Sequence, residues 1–160
     1  GLDIIPGVLV ICTLVMLLTF GPGTDAAGAA VYTGAAYEGV ALLPKLGQLL
    51  SPITGILFGF QDPTNIAFPI TSMGATGAAM ALVPPMLKSG AAGFNEVAVF
   101  TAIGMCWSGY LSTHVSMMDA LDKRVFIKAA IFSHTIGGLC AGVAAHYLYV
   151  LFSMIVNMLA

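Results

Sequence analysis

Charge is what this sequence has least of. Its 160 residues include five Lys or Arg and seven Asp or Glu, 8 % charged in all. Soluble domains carry about 25 %, and so few charges cannot coat a surface that faces water. With 59 % hydrophobic residues and a mean hydropathy of +0.99, most of the chain must face lipid or other protein. The formal net charge of −2, with no basic stripe carrying aromatics, gives no reason to expect nucleic acid as a partner.

Other absences narrow the chemistry. Cys12, Cys106 and Cys140 are scattered, with no Cys-x-x-Cys pair. They read as small apolar residues, not as a disulfide framework or metal site. No nucleophile elbow, zinc-binding helix or phosphate loop is present. A Ser112–His114–Asp119 enzyme would lack a strained turn and oxyanion donors. An intramembrane enzyme is therefore a remote alternative, and the chain is expected not to be an enzyme. No signal peptide is visible, because Asp3 and Pro6 stand where a basic region belongs. The missing initiator Met suggests a processed chain or a piece of a longer one.

What is present is a series of apolar segments with deliberate interruptions. Residues 1–20 read as a transmembrane helix. Residues 21–44 are rich in Gly and Ala and carry Glu38, either an ion or proton site inside the membrane or a residue at the interface. Residues 45–60 place Leu46, Leu49, Leu50, Ile53, Leu57 and Phe60 on one helical face, with Pro52 interrupting. An interfacial amphipathic helix fits, with a short tilted span as the alternative.

Residues 61–88 are expected to form a re-entrant hairpin. Asp62-Pro63 is a helix start and Pro84-Pro85 a stop. Between them "TSMGATG" breaks the apolar run into two half-bilayer pieces. A single kinked span is the other reading. Residues 94–120 read as an interrupted transmembrane helix, opened by an Asn95 cap and unwound near Gly109 to Thr113. Residues 125–158 form the last spanning helix, with Gly138, Ala141, Gly142 and Ala145 as a packing face. Lys123, Arg124 and Lys128 at the preceding turn favour the cytoplasmic side for that turn.

Polar residues concentrate in the interrupted helix. Thr101, Gly104, Ser108, Ser112 and Ser116 recur at spacings of three or four, a small polar face. With Thr113 and His114, and with Ser72 and Thr76 from the hairpin tip, they form the expected substrate site. Unwound carbonyls there would receive a coupling cation, Na+ or H+. His134 and His146 read as structural or interfacial histidines, and no metal site or other cofactor is expected.

A surface helix, a hairpin broken at "TSMGATG", an interrupted helix at "WSGYLSTHVSMM" and a small-residue final helix resemble the C-terminal half of Gate-domain ("nucleoside recognition") membrane proteins. Ethanolamine permeases and, more remotely, concentrative nucleoside transporters share that plan, and "STHVSMMDA…IFSHTIGGLCAG" resembles the end of the ethanolamine permeases best. Where those permeases carry Gly-Asp-His, this chain has Ser112-Thr113-His114. The resemblance implies an all-α, polytopic membrane fold, half of an inverted repeat, in the cell (inner) membrane. It implies movement of a small polar solute, nucleoside- or amine-like, with ligand held between hairpin tip and broken helix. The expected partners are the lipid bilayer, that solute, and either a second copy or a second half-transporter chain. A non-transporting assembly module that pairs with another Gate-domain chain is the alternative.

Overall fold

The computed structural model describes residues 5–36, 38–108 and 110–159, without the side chains of 5–8, 11, 12 and 111–113. The described chain is mostly helical, 75 % in seven helices. Helix α1 (Ile5–Thr19) has 15 residues, a rise of about 22 Å, which is less than the ~30 Å of a bilayer core. Its end is closed by the chain returning over it. The Val40 amide donates to Leu17 O at 2.6 Å and the Ala41 amide to Phe20 O at 2.9 Å, satisfying carbonyls that a helix end leaves open. The intervening loop holds a two-residue antiparallel ladder, β1 (Gly23–Thr24) with β2 (Ala30–Val31).

Helix α2 (Leu42–Phe58) runs through Pro52 without ending. Most of its large apolar residues point outward, with Leu49 75 % and Ile56 69 % exposed, while Leu43 and Phe58 are buried. The packed face centres instead on Gly47, where any side chain would run into the Pro63 carbonyl. The Asp62-Pro63 start is realised: Asp62 Oδ1 accepts from the Thr64 amide at 2.7 Å and opens a 3-10 turn, Pro63–Ile66.

Helix α3 (Ala67–Met80) contains one extended residue, Ala75 (φ −158°, ψ 104°), inside "TSMGATG". The chain recovers its helix after that break. The larger turn, 87°, falls between Met80 and Val83, ahead of α4 (Val83–Ser89). Pro84 and Pro85 therefore do not stop a helix but begin one, because first-turn residues need no amide donor. The two arms are unequal, and α4 is only seven residues long.

Between helices α5 (Phe94–Cys106) and α6 (Tyr110–Ala120), Trp107 and Ser108 are non-helical; of the unwinding expected over 109–113, Gly109 lies outside the described residues and 110–113 are helical. Gly93, not Asn95, precedes α5, and Glu96 Oε2 caps it by accepting the Gly93 amide at 2.9 Å. After a 3-10 turn (Arg124–Phe126), α7 (Ile127–Leu159) runs for 33 residues. Among the described residues, Arg124–Leu159 alone is by itself long and apolar enough to cross a membrane. Pro63–Met80 with Val83–Ser89 passes only if the bent pair counts as one span.

The core is aromatic. Phe68 stacks on Phe100 at 4.3 Å, Phe60 meets Phe100 edge-on at 5.7 Å, and Trp107 is 1 % exposed. Along α7 only Gly138 and Gly142 are buried. A side chain at Gly138 would enter the Trp107 indole, and a Cβ at Gly142 would lie 2.8 Å from Ile103 Cδ1. Gly138 and Gly142 of the small-residue face are thus covered within the chain, by Trp107 and by Ile103 and Phe58, while Ala141 and Ala145 stay half-exposed.

Gly138→Ala should lower the unfolding free energy in detergent by about 1–3 kcal/mol, as overpacking does. Gly137, whose added Cβ would meet nothing closer than Cys106 Sγ at 3.9 Å, is the control. Gly137→Ala should be neutral or stabilising by up to about 1 kcal/mol through helix propensity. Equal melting temperatures for the two variants would remove the indole–glycine contact as the basis of α5–α7 docking.

Candidate functional site

A broken helix frees carbonyls that a continuous helix would satisfy, and each needs a donor if it is buried. At the α5–α6 break the Tyr110 amide reaches back only three residues, to Trp107 O at 2.9 Å. Cys106 O is left over, and His134 Nε2 bonds to it. Trp107 O takes a second donor, the Thr76 hydroxyl, at 3.2 Å. Thr76 follows the extended Ala75, so the two backbone breaks meet through one side chain.

A short relay stands behind that contact. Ser72 is buried, and its Oγ lies 2.9 Å from Thr76 Oγ1. Thr76 Oγ1 also lies 3.4 Å from Ser72 O, and with its one proton given to either carbonyl, Ser72 donates to Thr76. Gly104 lets the segments approach: its Cβ would sit 3.3 Å from Thr76 Cγ2 and 3.4 Å from Phe68 Cζ.

The remaining expected site residues divide. His114 lies on α6, half-buried, with Nδ1 2.5 Å from Tyr110 O and Nε2 2.9 Å from His134 Nδ1. Ser108 and Ser116 are exposed and away from this cluster's bonds. The side chains of Ser112 and Thr113 lie outside the described residues. Ser72 and Thr76 are brought to the break and His114 turns toward α7, while Ser108 and Ser116 stand outside that cluster.

Two participants were not legible as such. His134 has both ring nitrogens bonded, and its own carbonyl accepts the Trp107 indole Nε1–H at 3.0 Å. A signal for it did exist. His114 and His134 stand ten residues either side of Arg124, in the turn, so a helical hairpin folding there brings them to one level. Asn95 and His146 form the second missed pair. Asn95 Nδ2 donates to Phe58 O at 2.9 Å, which leaves Oδ1 to accept from His146 Nδ1 at 2.7 Å. They border a cleft of about 500 Å3 that also involves Gly59, Glu96 and Tyr149.

Glu38 stands in the loop after β2, not on a spanning helix. Its carboxylate accepts from the Thr33 hydroxyl at 2.7 Å, the Thr33 amide at 2.9 Å and the Gly34 amide at 2.8 Å. Those donors are this chain's own, so the carboxylate braces a turn. The described residues contain no group of three or more His, Cys, Asp or Glu suited to a metal ion. No family model, curated protein or solved structure matches the chain.

The Thr33 hydroxyl, followed by the Thr33 amide, holds the Glu38 carboxyl below its ordinary range. A depressed folded-state value contributes stability that is full above the unfolded value and lost as pH falls through the folded one. Protection of the Thr33 and Gly34 amides, taken relative to their intrinsic exchange, should therefore hold down to about pH 4, the ordinary glutamate range, and fall below it. Glu38→Gln should exchange faster at neutral pH and lose that acid dependence. The same acid profile in the variant would assign the bracing to another group.

Proposed function

We propose that this chain is a membrane transport protein, or half of one, of the Gate or nucleoside-recognition type. It moves a small polar solute of nucleoside or amine character and is multi-pass in the cell (inner) membrane. The observation that carries this reading is the Thr76–Trp107 bond at 3.2 Å. It joins an extended residue in one helix to the gap in another, and non-helical backbone at membrane depth is tolerated where it is buried in protein or lines a cavity. Paired discontinuous helices of that kind hold substrates and ions in transporters.

Lipid as the surrounding solvent is supported by the inside-out packing. Helices α2 and α7 bury glycine and turn Leu49, Ile56, Phe132 and Phe152 outward. In water, such faces would be a large exposed apolar patch. The 87° turn before α4 supports a re-entrant segment over a straight span, because it turns the second arm aside before the crossing is complete. A solute would displace the local bonds of Ser72 and Thr76, and the second half of the site would come from another copy or a partner chain.

Two measurements test this. Single cysteines at Asp62 and at Ser89 should react with an impermeant reagent from the same side of sealed vesicles; opposite sides would make 61–88 a crossing helix. In detergent, a panel of nucleosides and short amino alcohols should contain a member that raises the melting temperature. Saturation at a hundred times Kd corresponds to about 2.7 kcal/mol. Thr76→Val should weaken that ligand about ten-fold, the cost of about 1.4 kcal/mol for one lost polar partner. A panel with no stabilising member and no uptake by reconstituted vesicles would favour the assembly-module reading.

A further inference from the structure

We propose that His114 and His134 form a proton-binding site that holds one proton between their facing ring nitrogens, and that this proton fastens α6 to α7. The assignment follows from donors and acceptors. His134 Nε2 bonds to Cys106 O and His114 Nδ1 to Tyr110 O. A carbonyl oxygen only accepts, so both of these outer nitrogens carry hydrogen. In a neutral imidazole the other nitrogen then bears a lone pair. Two neutral rings would set lone pair against lone pair across the 2.9 Å between His114 Nε2 and His134 Nδ1.

One added proton resolves the conflict. It bonds to one inner nitrogen and is accepted by the other, giving an imidazolium–imidazole pair of net charge +1. Its source is bulk acid, and no other bond changes. A second proton would face two N–H groups of like charge at that distance. The pair therefore binds protons as a unit, and only the singly protonated state makes the contact. The spacing suits a proton and not a metal ion, since two zinc–nitrogen bonds at a tetrahedral angle hold their nitrogens roughly 3.3 Å apart.

The surroundings leave the charge to the pair itself. Tyr110 of α6 packs edge-on to both rings, with centroids 6.0 and 5.8 Å away, and its hydroxyl is engaged by Ile131 O and Thr135. From α5 comes Cys106, through its carbonyl; α3 brings Ser72 and Thr76, which do not titrate. The nearest charged groups along the helices are Asp119, paired with Arg124, and Lys128. They are five and six residues from the rings, about 8–9 Å along the axes. Among the described residues no carboxylate bonds to either histidine. If the chain moves a solute as proposed above, this proton is the coupled ion. That role rests on the transport reading, whereas the shared proton does not.

The probe is the proton itself, read by nitrogen NMR on the full chain with 15N-labelled histidine in nanodiscs from about pH 5 to about pH 9. The expected result is a nitrogen–nitrogen coupling across the hydrogen bond, present at intermediate pH, lost toward both extremes, and absent in His134→Gln. His146, on its Asn95 acceptor, supplies the reference for an unshared ring. His114→Gln offers its amide N–H to His134 Nδ1 with no extra proton. It should keep the melting temperature within a few degrees and at least halve its change with pH. No coupling at any pH in the wild-type chain would overturn the proposal, even if His114→Gln fails to fold. So would a His114→Gln pH profile matching wild type. A coupling found in a chain that moves no solute would uphold the proton site and sink the transport reading. Solute movement without a coupling would do the reverse.

Discussion

Trp107 seated on Gly138 is the contact on which the remaining structure depends. The indole fills space that any side chain at 138 would occupy, and its Nε1–H is bonded to His134 O at 3.0 Å. The same residue supplies the break: its amide closes α5 on Ile103 O at 2.8 Å, and its carbonyl receives both the Tyr110 amide and the Thr76 hydroxyl. A helix interruption in an apolar environment is costly unless each freed group finds a partner. Here one buried residue anchors the break sterically and distributes its hydrogen bonds to four helices.

Helix α5 is consequently held to α7 at both ends by polar contacts and between them by close packing. At one end stand His134, Cys106 O and the Trp107 indole; at the other, Asn95 joins Phe58 O to His146. Between them Ile103 lies over Gly142. Close packing of small residues and interhelical hydrogen bonds can hold helices together without a large buried apolar face. This arrangement lets α7 bury only two of its 33 residues, both glycines, and still be fixed by those glycines and two histidines.

Legibility from sequence varied with the range of the interaction. Asp62-Pro63 could be read because capping is local. The small-residue face of α7 was visible, but its partner was not: glycine spacing shows that something packs closely, never what. That the break in α5–α6 takes in Trp107 and Ser108 was not legible, because "CWS" carries no breaker signal. Pro84-Pro85 misled for a related reason. Proline ends one helix or starts the next with equal ease, and only the turn at Ala81 and Leu82 decides between them.

The concentration of polar residues between Gly104 and Met118 has its cause in that break. Interrupting the helix leaves Cys106 O without its usual amide, and the donor that reaches it from α7 is a histidine. Spending Nε2–H on that carbonyl turns the other nitrogen of His134 into an acceptor. The nitrogen that answers it belongs to a ring that has also spent its hydrogen on a backbone carbonyl, at Tyr110. Backbone satisfaction on both sides thus leaves the pair one hydrogen short. In a chain with so few charges, a broken helix and two carbonyls are enough to require one.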